Sequence, residues 1–262
     1  MSDLQPEQRP AVPAPVVVED DTPAITDAPP PKKDKKAGPK WEVEARERVR
    51  SGIRRFAKPL ADLIERDANE GDTRMLVNRM LTDVLGYDEF GELTTEYAVK
   101  GEFADYGIRV DRDLVAFVEV KRVATKLGAK HLRQAQMYAV NEGVEWIILT
   151  NAADWRVYHL SAGLPVEIDL ALDVNLVGQE PLGKKVDQLF YLTRESWKKK
   201  QLDEVWKARR ATSPKSLAAV ITSPPVIQAA RRELRKQTSQ RVEAEEITRL
   251  LRETVVRPEC LE

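Results

Sequence analysis

The spacing of hydrophobic residues along the chain changes at about residue 94. Before it, apolar side chains recur every three or four positions from Trp41 to about Asp67, which predicts a helix. A second helix is predicted to begin after an N-cap at Asp72 and to stop at Gly86. The apolar runs then become short, which predicts three strands, at Thr94–Lys100, Asp105–Val110 and Leu114–Lys121.

Helix and strand signals alternate in the next part of the chain. An apolar stripe predicts a helix from about Ala129 to Asn141, and Val144–Leu149 predicts a buried strand. A strand, a helix and a strand in this order predict parallel pairing with a right-handed crossover. Trp155–Leu160 is expected to add an antiparallel strand, and Val166–Leu170 an edge strand. The sequence therefore predicts an α/β domain whose mixed β-sheet is flanked by helices.

The two ends of the chain differ from this central domain. Residues 1–40 contain nine of the sixteen prolines and no periodic apolar pattern, which predicts a disordered Pro/Ala/Lys-rich tail. Residues 171–262 are predicted to form short helices and carry 18 Lys and Arg residues against 13 Asp and Glu residues. We therefore expect a domain over 41–170 and a basic helical extension over 171–262. Its basic residues either contact a nucleic acid backbone or form a solvated helical face.

Composition excludes several classes of protein. One cysteine and two histidines exclude a disulfide framework and a Cys/His zinc site. The sequence has no uninterrupted apolar run of about 18 residues, so no membrane span is expected. With no secretory signal visible at the start, we expect a cytoplasmic protein.

Candidate chemistry lies at the end of the strand Leu114–Lys121. Glu119 and Lys121 are two residues apart, so on a strand they project from the same side, and burying such charges is costly without compensation. If the preceding hairpin is symmetric about Arg112, Asp105 stands directly opposite Glu119. Two carboxylates facing each other repel unless a cation lies between them. This pattern predicts a divalent-metal site.

Such a site is suited to the hydrolysis of phosphodiester bonds. Two carboxylates hold a hard divalent cation through oxygen, and the cation polarises the scissile phosphate. Lys121 beside them could orient or deprotonate the attacking water and offset negative charge on phosphorus. Taken alone, a Glu-x-Lys pair is more often a surface ion pair, so the prediction depends on Asp105 being opposite.

These residues resemble a known family. The combination of Asp105 with Glu119-Val120-Lys121 resembles the signature of PD-(D/E)xK nucleases, with Ala104 at the usual proline position. The segment from Gln134 to Tyr138 is similar to the QxxxY element of type I restriction enzyme R-subunit N-terminal domains. The resemblance covers roughly residues 70–160 and includes two supporting segments, Leu85-Gly86-Tyr87-Asp88 and Leu149-Thr150-Asn151.

The resemblance implies a fold and a set of site residues. The fold would be a restriction-endonuclease-like mixed β-sheet. Asp105 and Glu119 would bind Mg²⁺ or Mn²⁺, with the Val120 carbonyl as a third ligand, and Lys121 would be the catalytic lysine. Gln134 and Tyr138 would lie beside the metal, near the DNA backbone, although at helical spacing they could equally cap a packing face.

The family often places a further acidic residue on its first core helix. Glu70 and Asp72 are the candidates in this chain. By itself, His131 is more simply explained as a residue on the polar face of its helix than as a ligand.

Two functions from different classes are compatible with this sequence. The first is a divalent-metal-dependent DNA endonuclease that acts in restriction, phage defence or repair. The second is a catalytically inactive nuclease-fold module that binds nucleic acid or a partner protein. The presence of all three central side chains favours the first.

One further motif is a near match to a phosphate-binding loop. Residues 178–185 follow the pattern G-x-x-x-x-G-K, but Lys185 stands where a magnesium-binding hydroxyl is required. We therefore do not expect this loop to bind a nucleotide.

Overall fold

The computed structural model describes residues 38–161 and 166–260. Residues 1–37, which make up nearly all of the predicted disordered tail, lie outside this range. The described chain separates into two compact units that divide between Leu189 and Phe190.

The first unit contains a β-sheet with helices packed against it. In the described residues its six strands lie in the order β1-β2-β3-β4-β5-β6, and every neighbouring pair is antiparallel except β3 and β4. The predicted α/β class, with a mixed sheet flanked by helices, is confirmed. The elements are α1 (Lys40–Glu65), α2 (Glu70–Asp83), β1 (Leu93–Val99), β2 (Glu102–Val110), β3 (Asp113–Val120), α3 (Ala129–Glu142), β4 (Trp146–Thr150), β5 (Asp154–Ser161), β6 (Glu167–Asn175) and α4 (Leu182–Leu189).

The β3-α3-β4 unit forms the centre of the sheet. β3 and β4 pair in parallel from Ala116–Trp146 to Val120–Thr150, as the order of the sequence signals predicted. α3 ends at Gly143, whose φ of 67° is easily adopted without a side chain. Its inner face places Tyr138 against Phe117, with the ring centroids 6.3 Å apart. This packing fixes α3 over the end of β3.

The start of α2 differs from the prediction. Asn69, rather than Asp72, is the N-cap, because its side-chain oxygen accepts the backbone N–H of Asp72 at 2.8 Å. The helix therefore begins at Glu70. In its first turn, the buried hydroxyl of Thr73 accepts the backbone N–H of Val123 at 3.1 Å, just beyond β3. This contact places the N-terminal turn of α2 beside the end of β3.

The turn between β2 and β3 is shorter than predicted. Val110 pairs with Asp113, so the turn consists of two residues, Asp111 and Arg112. Both have positive φ, 51° and 79°, as tight two-residue hairpin turns often require. The prediction of a hairpin symmetric about Arg112 is wrong, because the turn is centred between Asp111 and Arg112.

A β-bulge restores the register that brings the acidic residues together. β3 carries one extra residue, Val115, where the pairing shifts between Ile108 and Arg109. Continuing the shifted register by one residue sets Asp105 opposite Glu119. The pairs beyond the bulge are Ile108 with Ala116, Gly107 with Phe117 and Tyr106 with Val118.

The second unit is helical. It includes Pro214–Ile221, a helix with Ser213 as its N-cap. Across the described residues, the structure has no helix that combines the length and apolar character needed to cross a membrane. The helices are α5 (Arg194–Lys198), α6 (Gln201–Ala211), α7 (Pro214–Ile221), α8 (Pro224–Thr238) and α9 (Ala244–Leu250), the last continuing into a π-helical turn at Leu251–Val255.

The positive φ of Arg112 leads to a prediction about the free energy of unfolding. Replacing Arg112 by glycine should stabilise the first unit by about 0.5–1 kcal/mol, because left-handed backbone is strained for a residue with a side chain. Urea unfolding would measure the change. The same substitution at exposed Arg133 within α3 serves as the control and should destabilise the protein by about 1 kcal/mol. A loss of stability in Arg112→Gly would contradict the explanation.

Candidate functional site

The end of β3 buries a carboxylate together with an ammonium group. The Glu119 residue is only 2 % exposed. Its Oε1 accepts Lys121 Nζ at 2.6 Å. Its other oxygen, Oε2, is buried and has no hydrogen-bond partner within the described part of the chain. A buried carboxylate oxygen without a donor is costly, and it is available to bind a cation.

Asp105 on β2 meets the same strand end. Its Oδ2 accepts the backbone N–H of Val120 at 2.7 Å, and its Oδ1 lies 2.7 Å from Arg74 Nη2 on α2. The residues on either side pack on different helices. Ala104 belongs to the core beneath α3, whereas the Tyr106 hydroxyl donates to the backbone of α2 at 3.0 Å. β2 therefore departs from regular alternation at Asp105, which lies between the two helices.

Burial dominates the protonation of both acids. Desolvation raises the pKa of Asp105, although the Val120 N–H and the charges of Arg74 and Lys121 oppose it. Desolvation raises the pKa of Glu119 from 4.5 to about 7, against the hydrogen bond and charge of Lys121. The charge of Asp105 also raises the pKa of Glu119, so the two acids are close enough to interact.

Lys121 is held in its charged form. Burial alone would lower the pKa of its ammonium group, but the hydrogen bond and charge of Glu119 raise it on balance. The charges of Glu70 and Asp105 act in the same direction. In this arrangement Lys121 is a cation and a hydrogen-bond donor rather than a base.

The structure distinguishes the two candidates for a further acid. Glu70 lies on the first turn of α2, and its charge influences Asp105, Glu119 and Lys121. Asp72 instead pairs with Arg66 at 2.6 Å. Glu70 is therefore the acid that α2 adds to this cluster.

The structure brings the other two predicted site residues together on α3. Gln134 Nε2 donates to the Tyr138 hydroxyl at 2.9 Å, one helical turn away. Burial raises the pKa of Tyr138, and the charge of Glu119 contributes to the shift. His131 points its Nδ1 at the backbone N–H of Gly128, at 3.3 Å, and burial together with nearby lysines lowers its pKa. The face of α3 that carries Tyr138 therefore lies within electrostatic reach of Glu119.

The donor set fits a hard divalent cation. Asp105 and Glu119 supply carboxylate oxygens at one strand end, and Glu119 Oε2 receives no hydrogen bond from any residue that the structure describes. Val120 is placed between them, where its N–H contacts Asp105, and a role for its carbonyl remains a prediction. Within residues 38–161 and 166–260, no group of three or more His, Cys, Asp or Glu side chains is arranged so that it could hold a metal ion. Any such site would therefore combine two carboxylates with backbone or water oxygens.

Sequence reasoning missed Arg74. This arginine pairs with Asp105, and its Nη atoms also lie 3.7 Å from Glu96 and 4.0 Å from Glu70. One signal was present in the sequence: Arg74 follows Glu70 by four residues, so the two share one face of a helix that includes both. The misplaced N-cap at Asp72 put Glu70 outside the helix and concealed this relation.

In the loop that resembles a phosphate-binding motif, the lysine side chain is hydrogen-bonded to backbone carbonyls of the chain itself. Lys185 Nζ donates to the carbonyls of Leu176 and Gly178 at 2.8 and 2.7 Å. These hydrogen bonds hold the loop against the first turn of α4.

Comparisons of this chain with protein-family models, with curated proteins and with solved structures found no match.

The raised pKa of Glu119 predicts that the stability of the folded state depends on pH. Unfolded Glu119 loses its proton near 4.5, whereas folded Glu119 keeps it until about 7. The folded state thus binds the extra proton between these values, and its stability falls as the pH rises through them. Since one pKa unit is worth about 1.4 kcal/mol, ionised Glu119 costs the fold roughly 3 kcal/mol.

Glu119→Gln removes this cost. We expect the stability of the variant relative to wild type to increase by roughly that amount between pH 5 and pH 8. Urea unfolding in the presence of a chelator at both pH values would measure it. Glu65→Gln, at an exposed position on α1, controls for the general effect of losing a carboxylate. Parallel pH curves for wild type and Glu119→Gln would contradict the raised pKa.

Proposed function

We propose that this chain is a divalent-metal-dependent DNA endonuclease of the PD-(D/E)xK type, with Asp105 and Glu119 as metal ligands. One observation carries the proposal. β3 ends with a buried Glu119 whose Oε1 is paired to Lys121 and whose Oε2 has no donor among the described residues, while a bulged hairpin brings Asp105 to the same point. A fold rarely buries two acids together unless they serve a purpose beyond stability.

The surrounding architecture supports the finer fold assignment. The restriction-endonuclease-like fold expected from the sequence motifs needs the aspartate on a hairpin strand, the Glu-x-Lys segment on the next strand and a helix crossing to a parallel strand. β2, β3, α3 and β4 provide these elements in this order. The Gln134–Tyr138 pair lies on the crossover helix, as the QxxxY resemblance implies.

Each side chain has a role that follows from its surroundings. Mg²⁺ or Mn²⁺ bound by the two carboxylates would stabilise the negative charge that develops on a phosphodiester during hydrolysis. Lys121, held as an ammonium group beside Glu119, can donate a hydrogen bond to a phosphate oxygen or orient the attacking water. Gln134 is exposed on α3 and donates a hydrogen bond to the buried Tyr138, which feels the charge of Glu119, so this pair suits a position beside the DNA backbone. An enzyme with this substrate acts where DNA is accessible, and we propose a cytoplasmic location and a role in restriction, defence or repair.

One observation favours the alternative of an inactive nuclease-fold module. Both oxygens of Asp105 already accept protein donors, from Arg74 and from the Val120 N–H. A module with this arrangement would bind nucleic acid or a partner protein without cutting. Metal-dependent cleavage separates the two candidates.

The decisive experiment is plasmid cleavage by purified full-length protein. With Mg²⁺ or Mn²⁺, wild type should nick or linearise supercoiled DNA, and a chelator should abolish the reaction. Glu119→Ala and Lys121→Ala should each reduce the rate by at least about 100-fold, because each removes a group that stabilises the transition state.

Lys58→Ala, at an exposed position on α1, is the control for losing a lysine and should cleave at the wild-type rate. Circular dichroism of every variant would establish that it is folded. Equal cleavage by wild type and both site variants would contradict the proposed site. Absence of cleavage in all of them, combined with DNA binding, would support the inactive module.

A further inference from the structure

Arg74 lies among three carboxylates at the acidic site. Its Nη2 is 2.7 Å from Asp105 Oδ1 and 4.0 Å from Glu70 Oε1, and its Nη1 is 3.7 Å from Glu96 Oε1. Its Nε is buried and makes no hydrogen bond to the described residues. The guanidinium is therefore directed at the acids without being fully satisfied by any fixed partner.

The contact with Asp105 occupies an oxygen that a metal would need. Divalent cations bind carboxylate oxygens at about 2.0–2.6 Å, and Asp105 Oδ2 is already held by the Val120 N–H. The guanidinium covers the remaining oxygen, Oδ1. A second positive charge at this oxygen would be strongly repelled by Arg74 in a poorly solvated site.

A second position for Arg74 is present nearby. Glu96 lies opposite Asp105 in the β1–β2 register, between the pairs Thr95–Tyr106 and Tyr97–Ala104. Its φ is 50°, an unusual and strained value for a glutamate within a strand. The Glu96 side chain is 74 % exposed, so pairing it more closely with Arg74 would require little desolvation.

We propose that Arg74 is an exchangeable counter-ion of the acidic site. In the metal-free protein it neutralises Asp105, and when a divalent cation binds it transfers its ion pair to Glu96 and Glu70. Metal and Arg74 therefore compete for the same carboxylate. This inference rests on the proposed function, since it assumes that Asp105 is a metal ligand.

A purely structural role for Arg74 leads to the opposite expectation. If the arginine only holds Asp105 in place for the metal, its removal leaves the ligand misplaced and weakens metal binding. If it competes with the metal, its removal strengthens binding. The direction of the change in metal affinity therefore distinguishes the two roles. It can be measured without an activity assay.

The test is Mn²⁺ binding to full-length protein by isothermal titration calorimetry. Arg74→Gln should bind Mn²⁺ about tenfold more tightly than wild type, a coupling of ordinary size for two competing sites. Arg79→Gln changes the same charge at an exposed position on α2 and should bind within about twofold of wild type.

A second variant tests the alternative position and leaves the Arg74–Asp105 pair intact. Glu96→Gln should weaken Mn²⁺ binding in wild type, because Arg74 loses the partner to which it moves. The same substitution should not change Mn²⁺ affinity in an Arg74→Gln background, because that protein has no guanidinium at position 74 to pair with Glu96. The Glu96→Gln single variant gives a result even if Arg74→Gln folds poorly.

The outcomes separate this inference from the proposed function. If wild type binds Mn²⁺ and Arg74→Gln binds it equally or less tightly, Arg74 is not a competitor, and the metal site stands. If neither protein binds Mn²⁺, both the metal site and the competition are wrong. Tighter binding in Arg74→Gln, with the effect of Glu96→Gln lost in that background, supports the proposal.

Discussion

The rest of the site depends on the burial of two carboxylates at the end of one strand. Desolvation is the largest contribution to the pKa shifts of both Asp105 and Glu119, and no single partner cancels it. The fold compensates in parts: Lys121 neutralises one oxygen of Glu119, and Arg74 and the Val120 N–H hold Asp105. One oxygen, Glu119 Oε2, has no hydrogen-bond partner in the part of the chain that the structure describes. A well-packed apolar pair would be at least as stable, so stability alone does not explain this arrangement.

Whether the two acids meet at all depends on a single extra residue in β3. The sequence predicted Asp105 opposite Glu119 from a hairpin symmetric about Arg112, whereas the observed pairing extends to Tyr106 and Val118, one residue short of the two acids. The turn itself has two central residues and would set Asp105 opposite Val118. The bulge at Val115 then shifts the pairing by one position. Alternating apolar residues do not reveal a bulge, since Val115 suits either register and the choice depends on packing across the sheet.

The parts of the site that could be predicted are those set by local spacing. Glu119 and Lys121 follow an apolar strand, and Gln134 and Tyr138 lie one helical turn apart, so their mutual contacts follow from strand and helix periodicity. The contribution of α2 could not be predicted in this way. Arg74 and Asp105 are 31 positions apart, and their contact depends on the helix beginning at Glu70 under an Asn69 cap. A start two or three residues later, as Asp72 suggested, removes Glu70 and changes which side chains face β3.

The Arg74–Asp105 ion pair is also the point at which the active and the inactive interpretations of this fold differ. A guanidinium beside Asp105 is the arrangement expected of a module that has lost its metal, and equally of an enzyme at rest. The difference lies in the free energy of moving Arg74 away from Asp105. Where an alternative carboxylate is close and exposed, as Glu96 is at 3.7 Å, that free energy is reduced because the guanidinium keeps an ionic partner. The buried Glu119 Oε2 also lowers the free energy of exchanging Arg74 for a cation. A cation bound to this oxygen would offset part of the cost of displacing the arginine. Both features lower the cost of exchanging Arg74 for a metal, and an inactive module would need neither.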